Sequence, residues 1–287
     1  MLNALSFDVE DWYHSIGSIP FEEWDRYEDR LILNMNNILQ VLDKYSIKAT
    51  FFVLGCVARK YPEVVKMLHQ TGHEIAVHGY NHRLLYQQTP DEFREDLKKA
   101  IGVIEELIQE KVIGYRAPYW SINKQSYWAL EIIRQEGLRY DSSIYPIKTH
   151  LYGMPSSPRY PYRITNSKLE IRNSKFPDNS IIEFPPSTIR ICGINIPIGS
   201  GFYFRAFPYR LTKWGLSRIN KEGNPALICL HPPEFDPRKP KLKMPSLGKY
   251  ILHYYNLATT MGKFNHLIRE FKFGTIREVL SGMGWLM

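Results

Sequence analysis

The feature that most constrains this chain is a rhythm in its first half. A short apolar run, a charged or turn-forming break and a stretch of helical spacing recur every roughly 25–40 residues. Leu2 to Phe7 is the first run, and Phe21 to Tyr45 carries Leu31, Met35, Ile38, Leu39 and Leu42 at helical spacing. Ala49 to Leu54 is a second strand, Tyr61 to Gln70 a helix stopped by Gly72, and His73 to His78 a third strand. Thr89-Pro90-Asp91-Glu92 has Thr at the N-cap and Pro at the first helical position, and starts a helix that runs to about Glu110. Val112 to Arg116 is a strand, Gln125 to Gln135 a helix stopped by Gly137, and Leu138 to Asp141 a short strand. Strands joined through crossover helices lie parallel. Asp8, His78, Arg116, Asp141 and, after a late run from Ala226 to Leu230, His231 each follow an apolar run. Parallel strand–helix units with polar residues at successive strand ends predict an α/β barrel whose active site gathers at the C-terminal ends of its strands.

The rhythm breaks after Asp141. Of the 19 prolines, 15 lie between Pro146 and Pro245. Proline is excluded from helix interiors and central strands, so a Pro-rich insertion of long loops and irregular β structure is expected. Within it Ser180 to Phe184 reads as a strand and Arg210 to Asn220 as a helix stopped by Gly223. A closing helical segment covers Leu247 to Phe271, and a short last helix includes Ile276 to Leu280. No repeat or linker interrupts the chain. One domain over 1–287 is expected, with 240–287 as a C-terminal helical extension.

A hydrophobic content of 44% with 14% aromatic residues builds a large core and excludes disorder. Met1 to Phe7 is too short for a signal peptide core, and no stretch approaches the roughly 18 apolar residues of a membrane span. Cys56, Cys192 and Cys229 are isolated in apolar sequence and read as buried, reduced thiols of a cytoplasmic protein. The net charge of +8 is uneven. Lys148 to Lys249 holds 17 Lys and Arg against 6 Asp and Glu, a net +11 that leaves −3 for the rest. Such a half suits an anionic partner, or is simply a solvated basic surface. No nucleic-acid motif accompanies it, and nucleic-acid binding is not expected.

In strand three, Ile75 and Val77 face one way and Glu74, Ala76 and His78 the other. Gly79-Tyr80-Asn81 then turns the chain and returns His82 near His78. Two imidazoles so held make half of a metal site, although such a pair by itself arises more often by chance. The carboxylates of Asp8-Val9-Glu10-Asp11 exceed what one metal needs. One can ligate while another acts as base, His231 can supply a proton, and Arg116 can keep the base ionised.

The ordered set Ser6-Phe7-Asp8-Val9-Glu10-Asp11, His78-Gly79-Tyr80-Asn81-His82, Arg116-Ala117-Pro118-Tyr119 and Leu230-His231-Pro232 resembles the polysaccharide deacetylase family with the NodB homology domain, carbohydrate esterase family 4. Glu183-Phe184-Pro185-Pro186-Ser187-Thr188, Gly201-Phe202-Tyr203-Phe204-Arg205 and His231-Pro232-Pro233-Glu234-Phe235-Asp236-Pro237 resemble its branch found with exopolysaccharide biosynthesis clusters. The resemblance implies a distorted, seven-stranded (β/α) barrel of NodB type and one divalent metal ion, zinc. It implies His78 and His82 as ligands, Asp8 as base, the Tyr119 amide in an oxyanion hole, and His231 as general acid. Asp141 would orient His231. The family's common adjacent aspartate pair is absent. An Asp-x-Asp variant register selects Glu10 as the third ligand, with Asp11 as the alternative. The implied reaction is hydrolysis of N-acetyl groups on a glycan or glycan precursor, an anionic one if the basic half takes part. The alternatives are a small-molecule C–N amidohydrolase of allantoinase type and a dead, glycan-binding protein. His14 either lines the substrate cleft or is exposed, and Trp12, Trp120, Tyr203 and Phe204 either stack on sugar rings or, as aromatics more often do, pack in the core. His73 is expected to make a structural hydrogen bond and His150 to be solvated, and Asp141 has turn capping as its alternative.

Overall fold

The computed structural model describes residues 1–16, 19–149, 152–165, 170–171 and 180–286. In chain order it begins with β1 (Leu2–Val9), α1 (Leu31–Lys44), β2 (Thr50–Val53), α2 (Gly55–Lys60), α3 (Pro62–Gln70) and β3 (Glu74–Val77). Then come α4 (Pro90–Ile108), β4 (Gly114–Tyr115), α5 (Ala129–Gln135), β5 (Tyr140–Asp141), β6 (Tyr162–Thr165), β7 (Glu170–Ile171), β8 (Ser180–Glu183), β9 (Thr188–Ile191) and β10 (Ile194–Pro197). The last elements are α6 (Gly201–Ala206), α7 (Tyr209–Lys221), β11 (Leu227–Leu230), α8 (Leu247–Tyr254), α9 (Thr260–Glu270), β12 (Lys272–Gly274) and α10 (Ile276–Gly282). They divide into two compact units, Met1–Thr50 with Pro197–Met287, and Phe51–Ile196.

In the first unit β1 pairs in parallel with β11 and with β12. Phe7 lies opposite Leu230, so Asp8 and His231 leave their strands at the same level. From Asn3 to Val9 every residue of β1 is buried, as a strand covered on both faces requires. Helix α1 buries Leu31, Met35, Ile38 and Leu42 along one stripe. Phe264 of α9 packs edge-on against Phe7 and Phe235 at 5.9 and 5.3 Å. Strand β12 falls in the gap between the helical segment read over Leu247 to Phe271 and the last helix; that segment is in fact broken at Asn256, whose φ of 59° leaves the helical region.

In the second unit β3, β4, β5 and β8 form a parallel series with Val77 opposite Tyr115, Tyr115 opposite Asp141 and Asp141 opposite Glu183. The expected insertion is β structure: β6 runs antiparallel to β8, and β7 to β6. Strands β9 and β10 pair around Cys192 and Gly193, with φ of 47° and 79°, both positive as a tight hairpin turn demands. Cys192 is therefore exposed at a hairpin tip and Cys56 only half-buried; Cys229 alone is buried as expected. His150 lies outside the described residues. Thr89 and Glu92 form the expected capping box of α4. Helix α2 escapes the sequence reading because it is short and stops at Tyr61, which the following proline holds out of helical geometry. In β3 both faces are buried, so the alternation of Ile75 and Val77 with Glu74 and His78 marks two covered faces. Among the described residues no helix is long and apolar enough to cross a membrane.

Candidate active site

The first unit gathers four acid–base groups at the ends of β1 and β11. Asp8 and Glu10 are each 3% exposed. His231 Nε2 stands 3.5 Å from Asp8 Oδ2 and 3.5 Å from Glu10 Oε1. Its Nδ1 stands 3.3 Å from Glu234 Oε2, and its backbone N–H donates to the same oxygen at 3.0 Å. Burial by itself would lower the imidazole's pKa, but hydrogen bonds to Asp8 and Glu234 outweigh it and raise it well above 6.5. Glu10 is pushed up to about 8 by burial, with nearby His231 lowering it and Asp8 raising it. Carboxylates crowded under such burial favour a cation among them. Asp8, Cys229 and His231 also place one potential ligand atom each within 4.8 Å of one another.

Asp11 has different work. Its Oδ1 accepts from Trp12 N–H at 2.7 Å, and Oδ2 from Arg30 and Leu31 N–H at 2.6 and 2.8 Å. It thus satisfies amides at the start of α1, which otherwise lack partners. This explains why the helix read from Phe21 begins only at Leu31. His14 is buried, accepts the Asp11 N–H on Nδ1 at 3.0 Å and stacks on Trp24 at 4.1 Å, so it belongs to a packed aromatic cluster rather than to the exposed surface. Trp12 is in the same cluster, with its indole N–H on Glu28 O. Phe204 is core and Tyr203 half-buried.

The second unit holds His78 at the end of β3. Its Nδ1 lies 2.8 Å from Arg116 O. A carbonyl can only accept, so Nδ1 carries the proton and Nε2 the lone pair, the tautomer of a metal-ligating histidine. Gly79, at φ 77°, turns the chain, and Asp96 pins the turn by accepting Tyr80 N–H at 2.8 Å. This returns the His82 ring to 5.2 Å from that of His78. The donor chemistry of the pair fits a divalent metal. His82, Tyr119 and Trp120 have φ of 60°, 55° and 49°. Left-handed conformations at bulky residues cost free energy and persist where the surroundings over-determine them, commonly at functional sites.

Arg116 is fully buried. It donates to Ser142 O at 3.2 Å and Ser142 Oγ at 2.9 Å, and lies 3.9 Å over the Phe52 ring. Ala117 N–H donates to Ser143 Oγ, which donates to Asp141 Oδ1 at 2.5 Å. Asp141 therefore anchors the segment that carries Tyr119. Register places Glu183 beside it, and both carboxyls are raised by burial. Glu183 rises further because Asp141 is its neighbour, so it keeps a proton and donates it to Asp141. His73 packs edge-on against Phe51 at 5.0 Å, in keeping with a structural role. Trp120 packs on Tyr145 and Tyr152.

Glu183, Arg205, Glu234 and Lys239 carry no assigned role in the sequence reading. Arg205 Nε donates to Glu234 Oε1 at 3.1 Å. Lys239 is 7% exposed, and burial, with Arg205 adding to it, lowers its pKa to about 8. The signal was present in the stretches around 183, 201–205 and 231–237, but a motif says nothing of which side chains meet.

The polysaccharide deacetylase profile matches residues 27–140, and that of a domain of unknown function, DUF3473, matches residues 142–281. Over 95 residues the chain is 37% identical to the peptidoglycan-N-acetylglucosamine deacetylase of Bacillus cereus, a stretch that covers 33% of this chain and 34% of that protein. The chain spans about a third of the length of the curated relatives it matches. A crystal structure of a Mycobacterium smegmatis protein assigned to the polysaccharide deacetylases aligns over 99% of this chain and 91% of its own, with a TM-score of 0.67 at 20% identity. The Puue allantoinase aligns over the same shares with a TM-score of 0.63 at 13% identity. At such identities the likeness shows the fold, and it bears out the α/β barrel expected from the strand–helix rhythm and the NodB type that the resemblance implied. The matched stretch, residues 27–140, carries His78, His82, Arg116 and Tyr119 in the expected order, and over that stretch the chain is similar to the polysaccharide deacetylase family.

Proposed function

We propose that this protein is a metal-dependent hydrolase that removes N-acetyl groups from a glycan or glycan precursor and releases acetate. The observation that carries the proposal is the placement of His231 Nε2 at 3.5 Å from both Asp8 and Glu10, at strand ends brought level by register. That grouping offers a base and an acid in one place, which amide hydrolysis requires. His78, His82 and Glu10 are the proposed ligands. The tautomer of His78 supports the first of these, and the engagement of Asp11 by three backbone amides supports Glu10 over Asp11. A divalent ion, zinc by family resemblance, would polarise the acetyl carbonyl and lower the pKa of water when bound. Asp8 takes the proton of the attacking water. The Tyr119 N–H, held by the strained backbone at 119 and 120, donates to the oxygen as it gains charge. His231 protonates the departing amine. Arg116 and Asp141 hold the Tyr119 segment in place through Ser142 and Ser143.

The exopolysaccharide branch is proposed on the motifs around 183, 201 and 231. A cytoplasmic setting is supported by the exposed free thiol of Cys192, which suits a reducing compartment. The test is acetate release from a panel of N-acetylated glycans, with allantoin alongside, with and without chelator. Chelator-sensitive release from a glycan is expected. Asp8→Asn and His231→Ala should each lower kcat by ~10²–10⁴-fold. Turnover of the small ureide alone would favour the amidohydrolase reading. Glycan binding without turnover would favour the binding protein.

A further inference from the structure

We infer that Glu234, braced by Arg205 and given room by Gly201, is the positioning residue of His231; the inference rests on the general-acid reading of His231. Glu234 Oε2 accepts the backbone N–H of His231 at 3.0 Å and faces its Nδ1 at 3.3 Å. A carboxylate can only accept, so Nδ1 keeps its proton there, and Nε2, the nitrogen beside Asp8 and Glu10, is the one that gives and takes a proton. The other oxygen, Oε1, accepts from Arg205 Nε at 3.1 Å. The remaining guanidinium nitrogens donate to main-chain carbonyls, one to Leu252 O at 2.7 Å and one to Tyr255 O. Arg205 is thus tied at three points. Its side chain is 4% exposed and that of Glu234 is 8% exposed.

Gly201 completes the arrangement. A Cβ built at position 201 would fall 2.0 Å from Glu234 Oε1 and 2.4 Å from its Cδ. The carboxylate therefore rests against bare backbone at the start of α6, and the same helix supplies Arg205 four residues later. Two stretches that the sequence marked separately, 201–205 and 231–237, become one device. It is built from the segment matched as a domain of unknown function, so a part of that segment's work is to carry the proton donor and aim it.

The test uses the full chain, metal-loaded, with N-acetylglucosamine oligomers and 4-nitrophenyl acetate as paired substrates. The amine of the first must be protonated to leave; the nitrophenolate of the second leaves without a proton. Glu234→Gln is expected to lower kcat on the oligomers by ~10–100-fold, the usual scale for a residue that orients another, with KM and metal content unchanged. On 4-nitrophenyl acetate it should lose no more than about threefold. Gly201→Ala, which changes no charge, should show the same signature. Imidazole ¹⁵N NMR of the metal-free protein, recorded at a pH where the ring is neutral, gives a second readout: His231 should hold its one proton on Nδ1 in the wild type and shift toward the Nε2–H tautomer in Glu234→Ala. Equal losses on both substrates, or an unchanged tautomer, overturn the inference. His231→Ala separates it from the reading beneath it. If that variant's loss depends on the leaving group and that of Glu234→Gln does not, positioning fails alone. If His231→Ala loses equally on both substrates, the general-acid reading fails.

Discussion

Asp11 and Glu10 are neighbours in sequence, yet their removal should have opposite consequences. Asp11 accepts three backbone amides, the buried ones of Trp12 and Leu31 and the part-buried one of Arg30. A buried donor left without a partner costs about 1–3 kcal/mol. Asp11→Ala strands all three, so a destabilisation of roughly 3–5 kcal/mol is expected, allowing for partial relaxation. At ~2–4 °C per kcal/mol, the melting temperature should fall by roughly 6–20 °C. Asp11→Asn keeps an oxygen for Arg30 and Leu31 and loses only the bond from Trp12, a cost of about 1–3 kcal/mol. Both variants should retain metal to the extent that they remain folded. Glu10→Gln should do the reverse. It removes a buried carboxyl that crowds Asp8, leaves the melting temperature within a few degrees or raises it, and loses the ion. The assays are thermal unfolding in the metal-free state and metal content per folded chain. A folded Asp11→Asn protein that loses its ion while Glu10→Gln keeps it would move the ligand to Asp11. An Asp11→Ala protein with an unchanged melting temperature would refute the capping argument.

Three further outcomes are expected. His78→Ala and His82→Ala should each lose a bound divalent ion of about one per chain, read by elemental analysis; a stoichiometric ion retained in the double variant would remove the assignment. Glu183 has its pKa raised well above the ordinary 4.5 by burial and by Asp141, so the folded state keeps a proton that the unfolded state releases, and stability falls as pH rises above about 4.5 by ~1.4 kcal/mol per pH unit. Glu183→Gln should flatten the fall in unfolding stability that sets in above about pH 4.5, and an unchanged slope there would assign the proton elsewhere. If the basic half from Lys148 to Lys249 steers an anionic glycan, kcat/KM should fall as salt rises, because exposed charges are screened beyond ~8–10 Å; a flat profile leaves it a solvated surface.

The local grammar of the chain was legible because its causes are local. Thr89 and Glu92 cap α4 with groups three residues apart, Gly72 stops a helix, and Gly79 makes the turn between His78 and His82. Parallel strands followed from the length of the connections between them, and polar strand ends from the point where each apolar run stops. Spacing alone left Glu10 and Asp11 equivalent. The amides that distinguish them belong to residues 30 and 31, and only folding brings those to Asp11. The same holds for His231 and Asp8, 223 positions apart and made neighbours by the pairing of Phe7 with Leu230. Arg205 and Glu234 meet because a helix start without a side chain faces a strand end. Sequence by itself determined which elements form and which chemistry each strand end offers, since propensity and capping act over a few residues. Tertiary structure decided which of those groups share a proton, brace one another or cap a helix, since hydrogen bonds and buried charge depend on distances that only register and packing set.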